Sequence, residues 1–143
     1  MSTSDVSRLV LGNHLAELRR LSAWVERWTQ EGVPSNVSFA LQLCLEEAVA
    51  NVIMYGQIDG ELKIAIELER RDRTLVARIE DNGQPFDPTQ VAPHPLPSTL
   101  KDAKIGDLGI HLVRSFVSQM DYERRHGQNR LTLRFEEQIG PAP

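Results

Sequence analysis

The sequence predicts a two-layer α/β (α+β) sandwich, in which three helices cover one face of a mixed, mostly antiparallel sheet. Segments of alternating polarity occur in pairs joined by short polar turns, which is typical of strands that form hairpins. Apolar residues recur at helical spacing in three other segments. The 143 residues suit one domain, 1–143, with a core expected over about 7–136.

The first half of the chain is predicted to contain a strand, two helices and a hairpin. The strand covers residues 7–13, and the first helix follows over 13–32, with one apolar face that includes Leu15, Leu18, Val25 and Trp28. Pro34 and Gly56 bracket a second helix over 35–55. The hairpin strands are ELKIAIELE (61–69), whose residues alternate between apolar and polar, and TLVARIED (74–81).

The second half begins with a long loop and closes with a helix and another hairpin. Residues 83–107 hold five of the eight prolines, and a structureless segment of this length is often functional. We therefore predict a lid over about 84–107. A helix over 108–120 and strands over 121–126 and 130–137 complete the domain.

Composition narrows the class of protein. The formal net charge of −4 argues against a nucleic-acid surface, because phosphate binding requires a basic face. No apolar run was expected to approach the roughly 20 residues of a membrane span. The single cysteine, Cys44, excludes an intramolecular disulfide and favours a reducing cytoplasm, with a small buried hydrophobe as its simplest role.

The second predicted helix carries a carboxylate and an amide on one face, Glu47 and Asn51, four residues apart. Burying an unpaired carboxylate is costly, so the pair makes sense beside Mg²⁺, which prefers oxygen ligands. In that case the carboxylate can accept a proton from a nearby hydroxyl. The alternative is that Glu46 and Glu47 lie on a solvated edge of the helix.

Two further clusters complete the set. Asp81 ends a strand and is followed by Asn82 and Gly83, so its carboxylate can accept a hydrogen bond from a base amine. The alternative is an ordinary Asp-Asn-Gly turn. Gly106 and Gly109 bracket a helix start, where free N–H groups bind anions, although a plain loop glycine and cap would look the same. Together the three clusters match the needs of magnesium-ATP.

These segments resemble the Bergerat-fold ATPases, which include histidine-kinase catalytic domains, Hsp90, MutL and type II topoisomerases. EEAVANVIMYG resembles the N box, and DNGQPF and GDLGIHLV resemble the two glycine boxes. From about Ser7 to Glu136, the chain is most similar to the stand-alone anti-sigma-factor serine/threonine kinases, the RsbW-like group. A complete histidine kinase is not expected, because nothing around His14 resembles its phosphoacceptor segment.

The resemblance assigns roles residue by residue. Glu47 resembles the family's general base, and Asn51 resembles its magnesium ligand. Asp81 resembles the aspartate that binds the adenine amino group, and Gly83 the glycine that lets the base approach. Glu46 is expected to be a supporting or exposed residue.

The phosphate side of the site is expected at the second glycine box. Gly106, Leu108 and Gly109 resemble the turn over the phosphates. Lys101 and Lys104 are the candidate phosphate contacts, because the lid has no obvious arginine.

Two positions depart from the family pattern. Pro85 stands where many relatives have a second glycine, and proline fixes the backbone and removes an N–H group. Either Asn129 or Thr132 can supply the polar group that approaches adenine from the last strand, and the sequence does not choose between them.

The resemblance implies an ATP- and magnesium-dependent kinase in a partner-switching system. Such a protein binds a sigma factor and phosphorylates an anti-sigma-factor antagonist, a STAS-domain protein, and it is expected to form a homodimer in the cytoplasm. Neither nucleic acid nor a membrane is an expected partner. The alternatives are a non-catalytic module whose ATP state controls partner binding and a domain that binds no nucleotide.

Overall fold

The computed structural model of the chain describes residues 5–30, 32–90 and 109–137. Its elements follow the predicted order of one strand, two helices, a hairpin, a third helix and a closing hairpin. They are β1 (Asp5–Leu11), α1 (Leu18–Thr29), α2 (Ser35–Tyr55), β2 (Ile64–Arg71), β3 (Thr74–Asp81), α3 (Gly109–Phe116), β4 (Gln119–Arg125) and β5 (Gln128–Glu136), with short 3-10 turns at Leu15–Glu17 and Pro88–Gln90.

The five described strands form one sheet in the order β1-β2-β3-β5-β4, and every pairing among them is antiparallel. This arrangement confirms the predicted sandwich and hairpins. The register places Asp81 opposite Ile64 on one side and Asn129 on the other. Since side chains opposite each other share a face, Asp81 and Asn129 project together toward the helices.

The core lies between the sheet and the helices. The predicted alternation in β2 is confirmed, because Ile64, Ile66 and Leu68 are fully buried and face the helices. Cys44 is also fully buried, and burial raises the pKa of its thiol to about 12, which fits the predicted role as a small apolar residue.

Two helix boundaries differ from prediction. Leu15 is 42% exposed, because residues 15–17 form a 3-10 turn and α1 begins only at Leu18. The third helix ends at Phe116, four residues early. The Ser118 N–H already donates to the Arg134 carbonyl at 2.8 Å, so the chain has joined the sheet before Met120.

α2 is long and apolar enough, by length and composition, to cross a membrane, which corrects the expectation that no segment approaches a span. Ten of its 21 residues are buried within the domain. The helix packs between α1 and α3 and over the sheet. Burial in the core therefore accounts for its apolar composition.

A buried ion pair fastens the end of β5 to the sheet. Arg70 donates from Nε and Nη2 to the two carboxylate oxygens of Glu137 at 2.8 and 2.6 Å, and Nη2 also donates to the Gly32 carbonyl. The Glu137 side chain is only 4% exposed.

We expect Arg70→Ala to lower the free energy of unfolding by about 3 kcal/mol, because it leaves the Glu137 carboxylate buried without its partner. Arg130→Ala is the matched control, since Arg130 pairs with Glu80 at the surface with 49% of its side chain exposed, and its loss should cost about 0–1 kcal/mol. Urea denaturation measures both values. Equal effects of the two substitutions would contradict the assignment.

Candidate functional site

A pocket opens between α2 and the ends of β3, β4 and β5 that lie beneath it. Most of its wall is apolar. Its polar side chains are Asn51, Asp81, Gln84, Tyr122 and Asn129. An apolar cleft with a few converging polar groups is the usual form of a small-molecule site.

Asp81 is the carboxylate of this pocket and is only 5% exposed. Its Oδ1 accepts hydrogen bonds from the Gly83 N–H at 2.8 Å and from Asn129 Nδ2 at 2.9 Å. Both of these hydrogen bonds go to Oδ1, so within the described ranges Oδ2 is the oxygen left for a ligand. This geometry fits the predicted acceptor for a base amine.

Burial raises the pKa of Asp81, and this effect outweighs the hydrogen bonds from Asn129 and Gly83 and the positive charge of Arg124, which all act to lower it. A carboxylate in this setting is under-solvated. It therefore gains from a hydrogen-bond donor supplied by a ligand.

Gly83 has a structural reason to be glycine besides the predicted approach of a base. A Cβ at this position would lie 2.3 Å from the Gly56 carbonyl oxygen and 2.9 Å from Asp81 Oδ1. The same Gly56 carbonyl accepts from the Gln84 N–H at 3.2 Å. The close approach is thus between two backbone segments, at the end of α2 and the end of β3.

We expect Gly83→Ala to destabilise the fold by about 1–3 kcal/mol, because one of the two segments must move to make room for the methyl group. In Gly12→Ala, the new Cβ meets its nearest atom at 3.4 Å, so this control should change stability by less. Thermal unfolding of both variants decides the point. A Gly83→Ala protein as stable as the control would show that the two segments are not packed against each other.

Glu47 and Asn51 lie one turn apart on α2, and each has a buried oxygen without a hydrogen-bond partner among the described residues. These atoms are Glu47 Oε2 and Asn51 Oδ1. Asn51 is 4% exposed and lines the pocket. Buried polar atoms are rarely left unsatisfied in native proteins, so the pair fits a ligand or metal ion with open coordination positions.

The environment of Glu47 suits a proton acceptor. Burial raises the pKa of its carboxyl, and the neighbouring negative charge of Glu46 raises it further. Raising a carboxyl pKa toward neutrality makes the carboxylate a better base.

Glu46 has a different role, as a supporting residue between helices. Its Oε1 accepts a hydrogen bond from the Ser22 hydroxyl of α1 at 2.5 Å. Gln42 Nε2 donates to the Ser22 hydroxyl oxygen and to Glu46 Oε1. This contact is consistent with the predicted supporting role of Glu46, since it holds α1 against the helix that carries Glu47.

The phosphate side of the predicted site is described only in part. Lys101, Lys104, Gly106 and Leu108 lie outside the described residues. Gly109 is the first described residue of α3.

The described part of the predicted lid, up to residue 90, is held in place at its root. Phe86 stacks on Tyr55 with ring centroids 5.8 Å apart. Arg114 Nη2 donates to the carbonyls of Pro88 and Thr89 at 3.3 and 2.5 Å. Pro85 is exposed at the surface of the first glycine box.

The last strand contributes Asn129 to the pocket, whereas Thr132 pairs with Arg78 and projects to the opposite face. Sequence reasoning missed two residues of β4. Tyr122 lines the pocket, and Arg124 Nη1 donates to the Gly83 carbonyl at 2.7 Å. The alternation of Met120, Tyr122 and Arg124 was the available signal for this strand face, but the register with β5 was needed to use it.

Comparison with known proteins identifies the family that combines these features. The family described as histidine kinase-like ATPase domain matches residues 11–135. The serine/threonine-protein kinase BtrW of Bordetella bronchiseptica is 36% identical over 109 residues, which cover 76% of this chain and 73% of BtrW.

The fold is similar to the crystal structure of the RsbU and RsbW domains of Rv1364c from Mycobacterium tuberculosis. The TM-score is 0.67, with 17% identity over 92% of this chain and 32% of that larger chain. At this identity the likeness supports the fold alone. The family match over most of the chain and the identity to BtrW decide the classification. The chain belongs to the histidine kinase-like ATPase domain family, in the RsbW-like serine/threonine kinase group that its boxes resemble.

Proposed function

We propose that this protein is a Mg-ATP-dependent serine/threonine kinase that acts as an anti-sigma factor in a partner-switching system. It binds and inhibits a sigma factor, and it phosphorylates a STAS-domain protein that antagonises this inhibition. The observation that carries the proposal is the pair of oxygens Glu47 Oε2 and Asn51 Oδ1, which have no hydrogen-bond partner in the described part of the chain, beside a pocket with an acceptor carboxylate. The similarity to BtrW, a serine/threonine-protein kinase, supports kinase activity.

In this proposal Asp81 Oδ2 accepts a hydrogen bond from the amino group of adenine, and the base lies in the apolar part of the pocket. Glu47 accepts the proton of the serine or threonine hydroxyl as that oxygen bonds to the terminal phosphorus, whose bond to the bridging oxygen breaks so that ADP leaves. Asn51 is a neutral oxygen ligand for Mg²⁺, which neutralises phosphate charge when bound. The turn at Gly106, Leu108 and Gly109 and the side chain of Lys104 hold the phosphates.

A magnesium site of this kind needs few protein ligands. No group of three or more His, Cys, Asp or Glu side chains that could hold a metal occurs within residues 5–30, 32–90 and 109–137. Mg²⁺ commonly keeps several waters and binds substrate phosphates together with one or two protein oxygens. Asn51 meets that requirement with an oxygen that has no other partner among the described residues.

The domain boundaries and setting are part of the same proposal. One ATPase domain spans 1–143, with its core over about 7–136 and its ATP lid over about 84–107. The protein works as a homodimer in the cytoplasm, without a nucleic-acid or membrane partner.

One observation favours a second candidate function, a nucleotide-dependent binding module without phosphoryl transfer. Pro85 occupies the first glycine box, where it fixes φ and offers no N–H group. A stiffer lid root would allow ATP to control partner binding while the catalytic arrangement forms poorly.

The test is a pull-down with the tagged protein, with and without Mg-ATP, followed by phosphosite mapping of the captured proteins. The kinase proposal expects an antagonist that is phosphorylated on one serine or threonine and released when ATP is present. Partner exchange that depends on ATP without any phosphosite would support the binding module instead. If Mg-ATP does not raise the melting temperature at all, both candidates fail.

A further inference from the structure

Asn129 is buried in β5, and all of its amide hydrogen-bonding groups are used within the protein. Nδ2 donates to Asp81 Oδ1 at 2.9 Å and to the Gln84 carbonyl at 2.8 Å. Oδ1 accepts from the Phe86 N–H at 3.4 Å and from the Tyr122 hydroxyl. An amide nitrogen has two hydrogens, so neither is left for a ligand.

The orientation of this amide is fixed by its neighbours. The Gln84 carbonyl can only accept and the Phe86 N–H can only donate, so Nδ2 must face Gln84 and Oδ1 must face Phe86. Nδ2 is thereby also held toward Asp81. Asn129 thus acts on a bound base through Asp81, not by direct contact.

The result is a carboxylate with two unequal oxygens. Oδ1 of Asp81 already accepts from Asn129 and from the Gly83 N–H, whereas no hydrogen bond to Oδ2 occurs among the described residues, and Asp81 lines the pocket. A carboxylate with both oxygens free suits two adjacent N–H donors, as on the edge of guanine. A carboxylate with one free oxygen suits the single amino group of adenine.

We propose that Asn129 is a positioning residue that sets base preference, because it occupies Asp81 Oδ1 and leaves a single acceptor for the amino group of adenine. This inference rests on the proposed nucleotide-binding function and adds a residue to it. Asn129 makes the site favour adenine over guanine nucleotides without touching either base.

The test compares dissociation constants for fluorescent mant-ATP and mant-GTP in the full chain with Mg²⁺. The unaltered protein should prefer ATP. Asn129→Ala removes one of the two donors to Asp81 Oδ1, leaving only the Gly83 N–H, and opens space beside this oxygen, so the ATP preference should fall by about tenfold. Asn129→Ser, whose shorter side chain does not span the gap to Asp81, should act in the same direction and keeps a polar group if the alanine variant fails to fold.

Thr132→Val is the matched control, since Thr132 lies on the same strand but faces away from the pocket. It should leave both dissociation constants unchanged. Equal weakening of ATP and GTP in a folded Asn129 variant, with the preference unchanged, would overturn the inference and show a purely structural role. An unaltered protein that binds ATP without any preference over GTP also overturns it. Failure to bind either nucleotide overturns the proposed function as well.

Discussion

Glu47→Gln is expected to reduce phosphoryl transfer to the serine or threonine acceptor by about 100- to 10,000-fold, the usual contribution of a general base. Glutamine keeps the size and shape of glutamate, but its amide accepts no proton at neutral pH. ATP affinity should change little, because the proposed adenine-binding group is Asp81 on another element. The combination of lost transfer and retained binding distinguishes a base from a residue that only holds the nucleotide.

Single-turnover transfer to the acceptor identified by phosphosite mapping measures the first effect, and mant-ATP binding measures the second. Glu46→Gln is the matched control, because Glu46 is the adjacent carboxylate and its Oε1 is engaged by the Ser22 hydroxyl. That variant should retain most of the transfer rate. Unchanged phosphorylation by Glu47→Gln would remove Glu47 from the mechanism.

The same substitution has a predicted effect on stability. Burial raises the pKa of Glu47 in the folded protein, so its favourable contribution is present at low pH and is lost as the pH rises through the folded pKa. Above that pH the ionised carboxylate opposes folding. Glu47→Gln should therefore raise the melting temperature at pH 8 and have a smaller effect near pH 4.

The raised pKa also predicts the pH dependence of transfer by the unaltered protein. Transfer should decline, as the pH is lowered, at a higher pH than for an exposed glutamate, since the base must be ionised. A melting temperature that Glu47→Gln lowers at pH 8 would contradict the assigned environment of this carboxyl.

The parts of the fold that the sequence predicted well are those with a strong local signal. The β2–β3 hairpin follows from the alternation in β2 and the polar turn after it, and the bounds of α2 follow from Pro34, which disfavours helix in the residue before it, and Gly56, a common helix end. The start of α1 was missed because Leu15 has helical spacing but lies in a 3-10 turn. Met120 fits the apolar stripe of a helix and the inner face of a strand equally well, so only its pairing with β5 shows that it belongs to a strand.

The residues of the candidate site also divide into those with a local sequence signal and those without one. Glu47 and Asn51 were identifiable because a carboxylate and an amide in an apolar helix contradict their surroundings. Asn129 and Thr132 could not be separated, because their position relative to Asp81 depends on the long-range register of β3 and β5. The close approach of Gly83 to Gly56 joins residues 27 positions apart in the chain, so it too has no local signal.

Asp81→Asn is expected to weaken ATP binding by about 10- to 100-fold, the usual value of one hydrogen bond to a charged group. The physical reason is a conflict over acceptors. The Oδ1 position must accept from Gly83 and Asn129, and the Oδ2 position must accept from the adenine amine. A carboxylate supplies both acceptors, whereas an amide supplies only one.

The fold decides which requirement the asparagine meets. With two N–H donors fixed at the Oδ1 position, its carbonyl oxygen should face Gly83 and Asn129, and its NH₂ group should face the pocket. The variant then presents a donor to the base. It should discriminate against adenine and gain affinity for a base with a carbonyl at the same position, such as the hypoxanthine of ITP.

Stability should not fall in this variant, because the substitution removes a buried carboxyl whose pKa is raised. The weaker ATP binding thus has no explanation in unfolding, and a melting curve measured beside the mant-ATP titration checks this. In the unaltered protein, ATP affinity should decline as the pH falls through the raised pKa of Asp81, since a protonated carboxyl no longer accepts in the same way. The Asp81→Asn variant should lose that pH dependence.

Asp87→Asn is the control for this experiment. Asp87 directly follows the same box, but its Oδ1 accepts from the backbone N–H and hydroxyl of Thr89 at 2.9 and 2.5 Å, and it does not line the pocket. Its replacement should leave ATP affinity within about threefold, well below the loss of a charge-assisted hydrogen bond. If Asp81→Asn binds ATP as well as Asp87→Asn does, the adenine amine is held elsewhere and Asp81 serves only to tie β3 to β5.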